Sequence, residues 1–313
     1  MYLGIEIGGT KLQLGVGDGA GTDLAALERL DIVPTRGAAG IREQIADTGR
    51  RLMEIHPITR IGFGFGGPID AAKGTVVTSH QIDGWNNFPL AEWCQHTLGR
   101  PVVLGNDCDV AALAEATLGA GRGTGIVFFV TVGTGVGGGL VIDGTLHGVG
   151  RPAVAEIGHL RPGLDAETSN QTVEALASGR GIETVCRRRM HEMLGPDVDD
   201  LLARCEGDER ELTARMIAEA ATERNDLATG VLRDAIRTLG WAIAEVITLI
   251  APETVVIGGG VSLMGERMFF TPLRESVRRY VFPPLADSYR IAPAELGEEV
   301  VVHGALTLAR QAD

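Results

Sequence analysis

Two short strings of glycine and threonine constrain this chain more than anything else in it. Gly8-Gly9-Thr10-Lys11 follows the apolar run Tyr2 to Ile7 and precedes Leu12-Gln-Leu-Gly-Val16. Gly133-Thr134-Gly135 follows a Val- and Phe-rich run over residues 125–132 and precedes another apolar run over 137–143. Each reads as strand, tight turn, strand. Glycine lets such a turn bring bare backbone N–H groups close to an anion, with no Cβ in the way. Either string alone fits an ordinary hairpin. The pair predicts two similar assemblies whose turns face one another across a cleft and hold a polyphosphate.

The apolar periodicity between the turns supports an α/β reading. A third strand is expected within residues 24–33, and 38–55 carry Ile41, Ile45, Leu52 and Ile55 at helical spacing. Residues 58–65 form a buried strand ending in Gly66-Gly67-Pro68, and 90–98 a short helix. Val102-Val103-Leu104 is a strand leading into Gly105-Asn106-Asp107, with a helix expected over 110–118. Helices dominate from about 173 to 250, the longest starting near Leu227. A strand over 253–257 ends in Gly258-Gly259-Gly260 before an expected helix, and a last helix spans about 301–309. The expected division is an N-terminal α/β lobe over 1–120, closed by a C-terminal helix at about 298–313, and a larger C-terminal lobe over 121–297. The boundary falls near 119–123, where small residues cluster.

The chain's 313 residues suffice for two such lobes. Aromatics make up only 4 %, so the core must rest on Val, Ile, Leu and Ala. A net charge of −13 leaves no electrostatic footprint for nucleic acid, and no apolar run reaches membrane-span length. Arg187-Arg188-Arg189 reads as a solvated helix face in acidic surroundings. No export leader is expected before the first strand, and Cys94, Cys108, Cys186 and Cys205 form no CxxC pair. Together these predict a cytoplasmic protein with reduced thiols.

Three further clusters carry chemistry. Gly258-Gly259-Gly260 offers flat backbone on which a planar base can lie, or simply a tight turn. Asp107 stands where a strand gives way to a helix, at the carboxyl edge where α/β folds bind ligands. It fits a general base for phosphoryl transfer to an alcohol, and equally a helix N-cap. Glu156 and His159 together can hydrogen-bond a polyol. His80 and Trp85 fit either the border of the cleft or surface packing, while Asp109 points away from Asp107 on its helix. The GxxxxGK[ST] pattern of a P-loop is absent, and neither turn has the setting of a dinucleotide fingerprint.

Six anchors fall in order along essentially the whole chain: Glu6-Ile-Gly-Gly-Thr-Lys11, Gly64-Phe-Gly-Gly-Pro-Ile-Asp70, Asn106-Asp107, Gly133-Thr-Gly-Val-Gly-Gly138, Glu156-Ile-Gly-His159 and Val256-Ile-Gly-Gly-Gly260. In this the chain resembles the ROK group (repressor, open reading frame, kinase). The resemblance implies the actin-like ATPase (ribonuclease H-like) fold, two α/β lobes around a nucleotide and sugar cleft. It implies ATP-dependent phosphorylation of a hexose or hexose-derivative hydroxyl, of the glucokinase type, with Asp107 as general base. Gly67, Asn106, Asp107, Glu156, His159 and Glu174 would hold the sugar. Gly8, Gly9, Thr10 and Lys11, with Gly133, Thr134 and Gly135, would hold the ATP phosphates, and Gly259 and Gly260 would lie by the adenosine. Magnesium would sit near Glu6, and the protein would be a homodimer or homotetramer with no nucleic-acid or membrane partner.

The chain departs from that group at two places. Glu6 stands where an Asp is usual, which lengthens the reach by about one carbon–carbon bond, ~1.5 Å; magnesium bound through water absorbs such a change. The CxCGxxGC zinc pattern after the sugar-binding His is replaced by Asp165, Glu167 and Thr172, so no structural zinc is expected. Asp165, Glu167 and His159 as a different metal site is a minor alternative. The competing functions are a sugar or nucleotide sensor without catalysis, and a sugar-responsive repressor. The latter carries an N-terminal helix-turn-helix, for which a strand at Tyr2 leaves no place.

Overall fold

A computed structural model describes residues 1–79, 81–151, 153–168 and 170–313. His80, read above as a cleft border, lies outside them. The elements run β1 (Tyr2–Ile7), β2 (Lys11–Gly17), β3 (Leu24–Asp31), α1 (Gly37–Ile55), β4 (Arg60–Phe65), β5 (Ile69–Asp70), β6 (Thr75–Val76), α2 (Leu90–Leu98), β7 (Val102–Asn106) and α3 (Asp107–Thr117). They continue with β8 (Ile126–Val132), β9 (Val136–Ile142), β10 (Thr145–Leu146), α4 (Val173–Ala177), α5 (Gly179–Glu192), α6 (Pro196–Arg204), α7 (Ala214–Thr222), α8 (Asp226–Ile250), β11 (Thr254–Gly258), α9 (Thr271–Tyr280), β12 (Arg290–Pro293) and α10 (Val300–Gln311).

One sheet has the order β3-β2-β1-β4-β7, the other β10-β9-β8-β11-β12. In the first, β1 pairs antiparallel with β2 and parallel with β4, and β4 pairs parallel with β7. Leu3, Ile5, Ile7, Ile61, Phe63 and Phe65 alternate with Gly4, Glu6, Gly62 and Gly64, so they share one face, buried with α1 and α2, and the glycines lie on the other, which is covered too. Part of that cover is α10. A Cβ on Gly62 would stand 2.0 Å from the Ala305 carbonyl oxygen, and one on Gly4 2.7 Å from that of Val302. Glycine in β1 and β4 is what allows α10 so near.

By its internal packing the chain divides into two units: Met1–Phe129 with Gly139–Ala155 and Ala294–Asp313, and Val130–Gly138 with Glu156–Pro293.

Two readings of local structure need correction. The helix expected from 110 begins at Asp107. Its first turn, Asp-Cys-Asp, is polar and invisible to apolar periodicity; what starts it is Asn106, extended (φ −69°, ψ 152°), whose side chain accepts from the Cys108 N–H. After Gly259 there is a 3₁₀ turn, Gly260–Met264, in place of a full helix. Gly265 at φ 79° ends it, and a π turn then leads into α9.

Among the described residues no helix is long and apolar enough to cross a membrane.

Candidate active site

In the first unit, three strands deliver their ends to one place. The register pairs Glu6 with Gly64, Ile7 with Phe65, and Phe65 with Asn106. The residues just past these ends, Gly8, Gly66 and Asp107, therefore meet at the carboxyl edge of the sheet, where α/β proteins bind ligands. A Cβ on Gly66 would lie 3.4 Å from Asp107 Oδ2 and 3.2 Å from the Ile7 carbonyl, so the bare glycine keeps that carboxylate uncovered.

Asp107 occupies the first turn of α3, and its Oδ1 accepts from the Cys108 N–H at 2.9 Å. The cap itself belongs to Asn106, whose Oδ1 accepts the same N–H at 2.9 Å while Nδ2 donates to the Gly67 carbonyl at 3.0 Å. Asn106 thus ties the end of β7 to the loop after β4. Burial raises the proton affinity of Asp107 above the ordinary carboxylate value, against the lowering effect of the Cys108 N–H.

Glu6 is also raised, first by burial and further by the Asp107 charge, while Gln13 and Lys11 pull it down. Gln13 faces Glu6 across the hairpin and donates from Nε2 to Glu6 Oε2 at 2.5 Å. The other oxygen, Oε1, looks toward Gly8, 4.0 Å from where a Cβ would stand. Thr10 is exposed, and its carbonyl accepts from the Ile32 N–H. Lys11 Nζ is paired with Glu298 at 3.2 Å on the surface, a partly exposed pair that contributes little. Over Gly9 lies the Gln81 side chain, whose amide fills the place of a Cβ.

The second unit repeats the device. The turn 133–135 links β8 to β9, and Gly133 receives the Gly179 N–H on its carbonyl at 2.7 Å, which fixes the start of α5 against it. After β11, Gly259 sits at φ +88°, and a Cβ there would stand 2.5 Å from the Val132 carbonyl. Only glycine serves at such a position. Beside these turns opens a cavity of about 840 Å³ lined by Gly133, Thr134, Arg180, Glu183, Thr213, Ala218, Gly260, Met264 and Met268, among others. Its size suits a small-molecule ligand. Glu183 Oε1 accepts the Ala214 N–H at 3.1 Å, which fixes the start of α7 on the cavity wall.

Glu156 precedes a 3₁₀ turn that His159 ends, with Oε2 and Nε2 3.9 Å apart and both side chains half or more exposed. Glu174, in the first turn of α4, directs Oε2 to the Val136 N–H at 2.9 Å, so this carboxylate is tied to the glycine turn. Thr172, at the last position of the absent cysteine pattern, caps α4 by accepting from the Ala175 N–H. Among the described residues no group of three His, Cys, Asp or Glu stands together in a metal-binding arrangement.

Sequence reasoning missed Gln13, Gly66 and the walls supplied by α7, Met264 and Met268. Gln13 was open to discovery, since hairpin register alone pairs it with Glu6. The cavity walls lie far along the chain from the turns and carry no motif.

The model of the ROK family matches residues 2–312. The chain is 32 % identical over 323 residues to a glucokinase of Streptomyces coelicolor, covering 100 % of this chain and 98 % of that protein. It is 29 % identical over 310 residues to a glucokinase of Thermotoga maritima, covering 99 % and 97 %. Among solved structures, a ROK family glucokinase from Streptomyces griseus in complex with glucose and AMPPNP is 31 % identical with a TM-score of 0.81, covering 99 % of both chains.

Proposed function

The chain belongs to the ROK family, and from that premise we propose that it is an ATP-dependent sugar kinase of the glucokinase type with Asp107 as its general base. The reading is supported by glucokinases that align over its whole length and by a similar fold that holds glucose and AMPPNP. The observation that carries the role of Asp107 is its position: a partly buried carboxylate with raised proton affinity at the shared ends of three strands, beside a glycine turn and kept uncovered by Gly66.

The hexose hydroxyl donates its proton to Asp107 as its oxygen attacks the terminal phosphorus of ATP. The bond from that phosphorus to the bridging oxygen breaks and ADP leaves. A carboxylate that holds protons more tightly than usual is a better acceptor for an alcohol proton than an exposed one. Gly8, Gly9 and Thr10, and likewise Gly133, Thr134 and Gly135, supply backbone and hydroxyl donors for phosphates. The adenosine lies in the cavity by Gly259 and Gly260, on walls of Met264, Met268 and Ala218. Gly67, Asn106, Glu156, His159 and Glu174 hold the sugar.

The residues present suit magnesium held through water. Two neighbouring carboxylates, Glu6 and Asp107, both have raised proton affinity, and Glu6 Oε1 faces the glycine turn. Magnesium is ordinarily held by one or two carboxylates together with substrate phosphates. When bound, the ion would neutralise charge on the phosphates; Glu6 would orient its water shell.

The test is ADP release from Mg-ATP across a panel of hexoses, hexosamines and N-acetylhexosamines, with Asp107→Asn alongside. Turnover on one sugar, lost by about 10²- to 10⁴-fold in Asp107→Asn, is the expected result. Binding of nucleotide or sugar by calorimetry with no turnover on any sugar would overturn the kinase reading in favour of a sensor.

A further inference from the structure

The glycine turn at 133–135 and the segment carrying Glu156 and His159 share one residue, Val136. Its N–H donates to Glu174 Oε2 at 2.9 Å. The same oxygen lies 2.4 Å from where a Cβ on Gly135 would stand. A Cβ on Gly158 would stand 2.0 Å from the Val136 carbonyl oxygen, so the bare backbone between Glu156 and His159 packs on that same residue. Behind His159 the chain is stitched to the start of α4 by the Val173 N–H on the Leu160 carbonyl, 2.9 Å. Phosphate turn, polyol-binding pair and Glu174 therefore form one connected body. Within it Glu174 Oε2 is committed to the turn, while Oε1 has no partner among the described residues.

We propose that Glu174 is a two-ended positioning residue, with Oε2 fixing the Gly133–Gly135 turn through Val136 and Oε1 accepting a sugar hydroxyl, so that sugar and nucleotide each tighten the binding of the other. This rests on the assignment of the turn to ATP phosphates and of Glu174 to the sugar, and adds the link between them. The physical cause has two parts. A carboxylate against a phosphate-binding turn repels the incoming phosphates, and a sugar hydroxyl donated to it takes up part of that charge. The same hydrogen bond holds the side chain in the rotamer that supports the turn, so the ordering is already complete when the nucleotide arrives. Coupling of this kind is reciprocal by linkage.

The experiment is calorimetry of Mg-AMPPNP with and without saturating glucose, and of glucose with and without saturating Mg-AMPPNP, on wild type, Glu174→Asp and Glu174→Gln. Asp keeps the charge but loses one methylene of reach, so it meets the turn or the sugar but not both. In wild type each ligand is expected to tighten the other at least about fivefold, the low end of ordinary coupling. In Glu174→Asp the factor should fall below about twofold while each ligand alone still binds, and Glu174→Gln, of full length, should recover part of it. A coupling that survives in Glu174→Asp overturns the proposal, as does loss of glucose affinity alone (a plain sugar ligand) or of AMPPNP affinity alone (a latch on the turn). Wild type that phosphorylates glucose without any coupling also overturns it and leaves the kinase reading standing. Wild type that binds neither ligand sinks both.

Discussion

Asp107 and Glu6 are held where their charged forms cost stability. Burial is the first cause of the raised proton affinity of both, and the Asp107 charge adds to it at Glu6. A carboxylate whose folded pKa lies above its unfolded value leaves the folded chain binding more protons than the unfolded one between those two values. Stability therefore falls as pH rises from the ordinary carboxylate range, about 4, through the raised folded pKa, and is level above it. For the general base proposed at Asp107, activity runs the other way, because a base must have lost its proton. The acid limb of kcat/KM is expected above the ordinary Asp range, and Asp107→Asn is expected to melt at a higher temperature than wild type at pH 7. The gap should narrow toward pH 3, where the wild-type side chain is neutral too. Thermal melts of both proteins from pH 3 to 8 check this, and an Asn variant less stable at pH 7 would mean that Asp107 is better solvated than its surroundings imply. In the sequence Asp107 stands out by its place between a strand and a helix, and Glu6 only through the family resemblance. The tie from Glu174 to Val136 was not legible there, since the partners are 38 residues apart and nothing in their spacing pairs them.

At the scale of elements, helix contact is set by where glycine removes a Cβ. The helix that carries Asp107 packs on α10, and at the crossing a Cβ on Gly304 would stand 1.8 Å from the Val110 carbonyl oxygen and 2.3 Å from its carbon. Two effects compete in Gly304→Ala. Intrinsic helix propensity favours Ala by about 1 kcal/mol. Forcing two packed backbones apart costs on the order of 1–3 kcal/mol or more, as overpacking does. The second wins, because the obstacle is backbone that cannot rotate away. Gly304→Ala is expected to destabilise the protein by at least about 1 kcal/mol and to lower kcat by shifting α3, with melting temperature and turnover as the two readouts. A stabilised variant would show that the helices separate freely. Most elements were legible: 90–98 matches α2 to the residue, and the strands around both turns differ from β1, β2, β8 and β9 only at their ends. Alternating and continuous apolar runs carry that information. Beyond the helix wrongly expected after Gly260, the stretch to Pro293 was not read, because a 3₁₀ turn, a π turn and a short strand have no period to detect. α9 buries only Leu273 and Val277, too few for a pattern.

At the scale of the whole molecule, the chain must return from one unit to the other, and a single carboxylate fastens the return. The second unit ends at Pro293 and the first resumes at Ala294. Immediately after, the N–H groups of Glu295 and Leu296 both donate to Glu115, a fully buried residue in the last turns of α3. The Ala120 N–H donates to the same group at 2.9 Å. Oε1 accepts from Glu295 and Leu296, and Oε2 from Ala120 and Glu295, so both oxygens act as acceptors. Nothing in the sequence marks this acidic residue in an alanine-rich helix; only the fold brings residues 180 positions away onto it. That geometry makes glutamine a poor substitute. Whichever way its amide is turned, an NH₂ group replaces one oxygen and meets an N–H that also donates. Hydrogen bonds to a charged group contribute about 1.5–3 kcal/mol each, and a buried donor left facing another costs a further 1–3 kcal/mol. Against this stands the relief of no longer burying a charge. Glu115→Gln is therefore expected to cost about 2–3 kcal/mol and Glu115→Ala somewhat more, both seen as a lower denaturant midpoint. A Gln variant within about 0.5 kcal/mol of wild type would mean that the 294–296 segment finds other acceptors once Glu115 is changed, and that α3 holds Asp107 in place without this anchor.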